Sequence, residues 1–118
     1  MGKLTTHVLD TYHGLPAEKM TIELWSIAKD GTRILLTTVQ TGKDGRTPSP
    51  LIEGEAMHIG EYELVFHVRE YFQAKIGTVN ASPFLHSVPV RFTLYNAIEN
   101  YHVPLVTSPW AYSTYRGS

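Results

Sequence analysis

Met20-Thr21-Ile22-Glu23-Leu24-Trp25-Ser26-Ile27, a turn at Lys29-Asp30-Gly31-Thr32, and the returning run Arg33-Ile34-Leu35-Leu36-Thr37-Thr38-Val39-Gln40-Thr41 decide the fold. Alternation sets Met20, Ile22 and Leu24 on one face against Thr21, Glu23 and Trp25 on the other, the period of a half-buried strand. The Asp-Gly turn brings residues 33–41, rich in Ile, Leu, Thr and Val, back antiparallel beside it. Period two, not the 3.6 of a helix, sets the pattern here.

The same period extends outward. Residues 4–10 place Leu4, Thr6 and Val8 on one face and Thr5, His7 and Leu9 on the other, before a break at Gly14-Leu15-Pro16. Gly42-Lys43-Asp44-Gly45-Arg46 ends the hairpin in a loop, and prolines and glycines in residues 47–60 leave only a minimal strand near Leu51-Ile52. Residues 61–68 alternate again, with Tyr62, Leu64, Phe66 and Val68 opposite Glu63, Val65 and His67. Residues 69–76 favour helix, having Ala, Gln, Glu and Lys, no β-branched residue before Ile76, and Gly77 as a stop. Phe72, Lys75 and Ile76 are predicted on its inner face. Two further blocks, 86–95 and 101–107, and a last strand from Ala111 complete the chain; Pro89 and Pro104 predict edge positions or bulges. Many short strands with one short helix predict an all-β sandwich, one domain over residues 1–118.

Composition narrows the function. With no cysteine there is no disulfide framework, no Cys-based zinc site and no thiol nucleophile. A formal net charge of -1 with scattered Lys and Arg gives no footprint for nucleic acid, and no apolar run approaches the ~20 residues of a membrane helix. Met1-Gly2-Lys3 leads into a strand pattern without an apolar signal region, so the expected location is cytoplasmic. The expected partner is a small molecule or another protein chain.

Six histidines are present. His13 beside Gly14 and His58 in the broken connection read as solvated turn residues; His67 and His86 read as structural or surface residues. His7 lies opposite the Leu4/Thr6/Val8 face, and in Tyr101-His102-Val103-Pro104-Leu105 the apolar Tyr101, Val103 and Leu105 leave His102 on the other side. Both imidazoles are therefore expected to face outward from the sandwich. The run Tyr112-Ser113-Thr114 is followed by Tyr115-Arg116-Gly117-Ser118, which carries a basic side chain, a flexible glycine and a carboxylate. Termini usually fray and tolerate change, and this one is expected to be part of a site instead.

Leu4-Thr5-Thr6-His7-Val8-Leu9-Asp10, Lys43-Asp44-Gly45-Arg46, Tyr101-His102-Val103-Pro104-Leu105, Ser108-Pro109 and Tyr112-Ser113-Thr114-Tyr115-Arg116-Gly117-Ser118 together resemble the 5-hydroxyisourate hydrolase family of transthyretin-like proteins. The resemblance covers essentially the whole chain, and the terminal tetrapeptide, which in this family marks the enzyme, is its most specific part. It implies a transthyretin-like sandwich of two four-stranded sheets with one short helix. Many members carry His-Tyr-His where this chain has Asn100-Tyr101-His102, so the matching catalytic histidine is His102.

The implied substrate is 5-hydroxyisourate and the implied product 2-oxo-4-hydroxy-4-carboxy-5-ureidoimidazoline. Water attacks a ring carbonyl and the adjacent C–N bond breaks, which needs a base, an acid and a donor for the developing oxyanion. His7 and His102 match the family's histidine pair, and two close imidazoles cannot both be protonated cheaply, so one is expected to stay neutral. Arg46 matches the family's arginine, whose guanidinium fork can hold a flat, oxygen-rich substrate and stabilise charge on its carbonyl. The resemblance further assigns Ser118 to the catalytic group, and Tyr115, Arg116 and Gly117 with Arg46 to substrate binding. No cofactor and no metal are expected; His7 and His102 alone lack a third zinc ligand. Outward-facing catalytic groups need cover from bulk water, and the family implies a homotetramer, a dimer of dimers, with sites at the subunit interface. The competing expectation is a transthyretin-like hormone carrier on the same fold.

Overall fold

Along residues 2–117, which the computed structural model describes, the strands are β1 (Lys3–Thr5), β2 (Val8–Asp10), β3 (Leu15–Pro16), β4 (Thr21–Ile27), β5 (Arg33–Gln40), β6 (Ile52–Glu53), β7 (Gly60–Phe66), β8 (Val88–Leu94), β9 (Tyr101–His102), β10 (Leu105–Thr107) and β11 (Tyr112–Thr114). A 3-10 turn (Gly54–Ala56) precedes β7, and a helix α1 (Val68–Asn80), broken at Gly77, follows it. The predicted hairpin is β4–β5, with Ile22 opposite Val39 and Leu24 opposite Thr37, and one register shift between Leu24 and Trp25. It joins β7 and β8 in an antiparallel sheet of order β5-β4-β7-β8.

The second layer is broken twice. The run predicted over residues 4–10 is two strands, β1 and β2, and the block 101–107 is likewise β9 and β10. β1 pairs parallel with β9 and β2 with β10. Across the gap, Val103 N–H donates to the Thr5 carbonyl and Leu105 N–H to the His7 carbonyl, both at 2.9 Å, so the halves stay in one layer. β6 and β3 flank β1 and β2 on one side, and β11 flanks β10 on the other. The result is an all-β sandwich with one short helix.

Proline placement follows the missing N–H donor. Pro89 lies on β8, an edge strand, as expected. Pro104 lies in the gap between β9 and β10, where the ladder is interrupted and no N–H is needed, the irregular kind of position expected.

Leu4, Val8 and Leu105 from the second layer meet Ile22, Leu24, Leu64 and Phe66 from the first, all at 0% exposure. Each such side chain contributes roughly 1.5–3 kcal/mol relative to an exposed one. Helix α1 adds Val68, Tyr71 and Phe72 to the buried set. The predicted inner face is corrected at two points: Tyr71 is buried and Lys75 is exposed, because the helix turns its charged edge to water. Val68, read as the end of a strand, begins the helix.

Candidate active site

On the outer face of the second layer, Thr5 and His7 project from the same side of the N-terminal run and His102 stands beside them. Parallel pairing sets Thr5 opposite His102, and Thr5 Oγ1 lies 2.9 Å from His102 Nδ1. The loop 42–46 folds over His7: Val8 N–H donates to the Gly45 carbonyl at 2.9 Å, and Arg46 makes an isolated antiparallel bridge with His7. Within the loop, Arg46 N–H donates to the Asp44 carboxylate and Gly42 N–H to the Arg46 carbonyl. His7 Nε2–H donates to the Asp44 main-chain carbonyl at 2.8 Å, which fixes its ring. Gly45 is required at this turn: its φ is +77°, and a Cβ would run into the Val8 carbonyl and lie 3.1 Å from His7 Cδ2.

The chain's end closes the other side. Gly117 bridges His102, its N–H donating to the His102 carbonyl at 2.7 Å. A Cβ at Gly117 would come 2.7 Å from His102 Cδ2, so the tail's main chain lies directly on the imidazole. Lys3, Thr5, Arg46, Asn100, His102, Tyr115 and Gly117 line an open cleft of about 480 Å³. That volume suits a small heterocycle.

His102 is half-buried, and its pKa is lowered by burial first, then by the Arg46 guanidinium and by His7. The imidazole is therefore kept neutral at neutral pH. Both neighbouring charges act on His102 in the direction that disfavours a second proton at the pair. The geometry brings together His7, Arg46 and His102 with Tyr115 and Gly117 of the tail. Ser118 lies outside the described residues.

Arg116 points elsewhere. Its guanidinium lies over the Tyr101 ring at 4.3 Å, donates to the Asn100 carbonyl at 3.0 Å and to the Tyr95 hydroxyl, and meets Glu99 at 3.4 Å. It lines a mostly apolar cleft of about 340 Å³ on the far side of the tail, with Val90, Phe92, Tyr95, Tyr101 and Val103. Arg116 thus pins the tail that carries Gly117 onto His102. Sequence reasoning missed Thr5 and Lys3 as cleft residues, although both share His7's face by the same period-two count.

The remaining histidines fall into other roles. His13 is the exposed turn residue expected, and Asp10 also holds it: its Nδ1–H donates to Oδ2 at 2.6 Å and its N–H to Oδ1 at 2.9 Å. Tyr71 O–H donates to the same Oδ2 at 2.8 Å, so the fully covered Asp10 carboxylate ties the 11–16 turn to helix α1. His67 donates to Glu23 at 2.7 Å, the structural role expected of it, and His58 and His86 are exposed. Among the described residues no three His, Asp or Glu side chains are grouped to hold a metal ion.

The family model described as the HIUase/Transthyretin family matches residues 4–117. The protein from Halalkalibacterium halodurans named 5-hydroxyisourate hydrolase is 52% identical, the alignment covering 99% of this chain and 98% of that one. The crystal structure of an (S)-allantoin synthase superposes with a TM-score of 0.91 at 44% identity over 99% of this chain, which spans 44% of that longer one. Sea bream transthyretin, solved with thyroxine, superposes with a TM-score of 0.87 at 23% identity, covering 98% of this chain and 94% of its own; that likeness concerns the fold. Matched from Leu4 to Gly117 and aligned over nearly its whole length with a named hydrolase, this chain belongs to the HIUase/Transthyretin family.

Proposed function

We propose that this chain hydrolyses 5-hydroxyisourate at the cleft of His7, Arg46 and His102, giving 2-oxo-4-hydroxy-4-carboxy-5-ureidoimidazoline. The observation that carries the reading is an imidazole kept neutral beside a guanidinium in a family whose near relatives are named for this activity. His102 takes a proton from water as the water oxygen bonds to the ring carbonyl carbon. Arg46 donates to the oxygen that gains charge, and such preorganised donors act most strongly where solvent is excluded. As the C–N bond breaks, the nitrogen takes the Nδ1 proton of a His7 that enters the step as imidazolium, its Nε2–H remaining on the Asp44 carbonyl. The two histidines return to their starting forms by exchange with solvent.

Tyr115 and Gly117 form the wall of the cleft, and Arg116 contributes through the tail it anchors. We read Ser118 as a further catalytic group delivered by that tail. A homotetramer, a dimer of dimers, would cover the cleft: Leu9, Trp110 and Tyr112 are 37%, 53% and 46% exposed, and strands β8 and β11 are sheet edges beside the apolar cleft. Edges and apolar patches of this kind usually meet a partner.

The test is direct. With 5-hydroxyisourate generated freshly from urate, the protein is expected to accelerate its ultraviolet decay, and Arg46→Ala to remove most of that acceleration. An intact protein that leaves the spontaneous rate unchanged defeats the reading. Sedimentation showing only monomer at micromolar concentration defeats the tetramer.

A further inference from the structure

We propose that Thr5 is a positioning residue for His102: its hydroxyl oxygen accepts the Nδ1 proton and so turns an unprotonated Nε2 toward the cleft. The inference rests on the reading of His102 as the base and names the group that makes it one. A neutral imidazole carries one proton on either nitrogen, and the partner of one nitrogen decides what the other presents. Here the partner is fixed from two directions.

The first is the strand pairing. Thr5 and His102 are register partners in the parallel β1–β9 pair, held by the Val103 N–H to Thr5 carbonyl bond beside them. Threonine is β-branched and stiff at χ1, so once the backbone is set its hydroxyl has few places to go. It lies 2.9 Å from Nδ1. The second is the tail. Gly117 lies against Cδ2 with no room for a methyl group, and its N–H holds the His102 carbonyl. The ring is clamped between Thr5 and Gly117, and among the described residues Nε2 makes no hydrogen bond.

Two proton arrangements satisfy the 2.9 Å contact. If the hydroxyl donates to Nδ1, the imidazole proton sits on Nε2 and a base is lost from the cleft. If Nδ1–H donates to Oγ1, Nε2 is free to take the proton of the attacking water. Thr5 is half-buried and lines both the reaction cleft and the adjoining hollow beside Thr47 and Ser49, so its own hydrogen has polar space to enter in the second arrangement. Through the attack Nδ1–H stays on Thr5 and only Nε2 changes protonation, so the ring need not rotate.

The experiment uses the full chain labelled with ¹⁵N-histidine, with Thr5→Val, which keeps the β-branched shape, and Thr5→Ser, which keeps the hydroxyl. Imidazole nitrogen shifts of the neutral form are expected to place the His102 proton on Nδ1 in wild type and Thr5→Ser, and to move it toward Nε2 in Thr5→Val. On 5-hydroxyisourate, Thr5→Val is expected to lower kcat by ~10- to 100-fold with KM within about threefold, and Thr5→Ser to stay within about threefold of wild type. A wild-type His102 carrying its proton on Nε2, a Thr5→Val spectrum unchanged from wild type, or equal losses in both variants overturns the proposal. If wild type does not accelerate substrate decay, the hydrolase reading fails, and the nitrogen shifts still decide the role of Thr5.

Discussion

Two histidine-bearing regions of this molecule differ in what their imidazoles touch. On the β5-β4-β7-β8 sheet, His67 donates to Glu23, and the neighbouring Glu63 is held by Arg33 at 2.8 Å and by Arg91 at 3.2 Å. The Glu23 carboxyl stays below its usual pKa; burial opposes this, but hydrogen bonds from Trp25 and His67 and the charges of His67 and Arg33 outweigh it. At the cleft, among the described residues, no carboxylate hydrogen-bonds a ring: His7 meets a main-chain carbonyl and His102 a hydroxyl, with Arg46 as the nearby charge. A carboxylate partner commits the His67 ring to a structural contact. Around His102, burial and the charges of Arg46 and His7 disfavour the protonated ring and leave it available.

The largest break in that comparison comes from exchanging the residues themselves. His102→Asn is expected to lower kcat on 5-hydroxyisourate by ~10²–10⁴, the usual worth of general acid-base help. His67→Asn is expected to leave kcat within a few-fold, since its ring serves Glu23. Steady-state rates of the two variants side by side check this, and equal losses would erase the distinction between the regions.

A second way to sharpen it is to disturb the ring without removing it. Gly117→Ala places a methyl 2.7 Å from His102 Cδ2, at the ring rather than at a flexible tip, so either the ring or the tail must move. Expected is a roughly tenfold loss of kcat, with a melting temperature near that of wild type, because the tail is half-exposed. Loss of stability without loss of rate would show that the tail is packing and not positioning.

The third prediction concerns the other carboxylate-held histidine. Tyr71→Phe removes one donor from the buried Asp10 carboxylate and is expected to cost about 1–2 kcal/mol in denaturant unfolding. The Tyr71 hydroxyl is itself pushed far up in pKa by burial and by Asp10, so it remains a donor throughout the working range. Rate per folded molecule should not change. A fall in kcat at full folding would mean that the 11–16 turn reports to the cleft.

The hairpin and the outward faces of His7 and His102 were legible because alternation is local. What alternation cannot supply is the identity of the neighbour across a sheet. Thr5 meets His102 over 97 positions of sequence, and Tyr71 meets Asp10 over 61. Either contact becomes visible only when the parallel pairing or the helix packing is known. The exposure of His13 is legible beside its turn glycine, but its tie to a buried carboxylate three residues earlier is not. Pro104 lies in a break of the ladder, which accommodates its missing N–H as efficiently as an edge or a bulge does. Arg116 shows the limit of residue matching. Its type is right for binding an oxygen-rich ligand, and its guanidinium stacks on Tyr101, away from the histidines.

The smallest effect, and the one that tests the comparison at its root, is the pH response of His102. Its folded-state pKa is depressed by burial, Arg46 and His7, whereas the unfolded chain titrates near the ordinary imidazole value of about 6.5. Between those two values the unfolded state binds a proton that the folded state does not. Stability is therefore undiminished by this group above the ordinary value, falls as pH drops through that window, and levels off below the folded pKa. The acid limb of kcat/KM should have its midpoint on the acidic side of ordinary imidazole. Arg46→Gln removes a cation whose field opposes protonation, so the His102 midpoint read from imidazole NMR should move up toward the ordinary value. If Arg46→Gln leaves the His102 midpoint in place, burial alone keeps the ring neutral and the guanidinium acts on the substrate only.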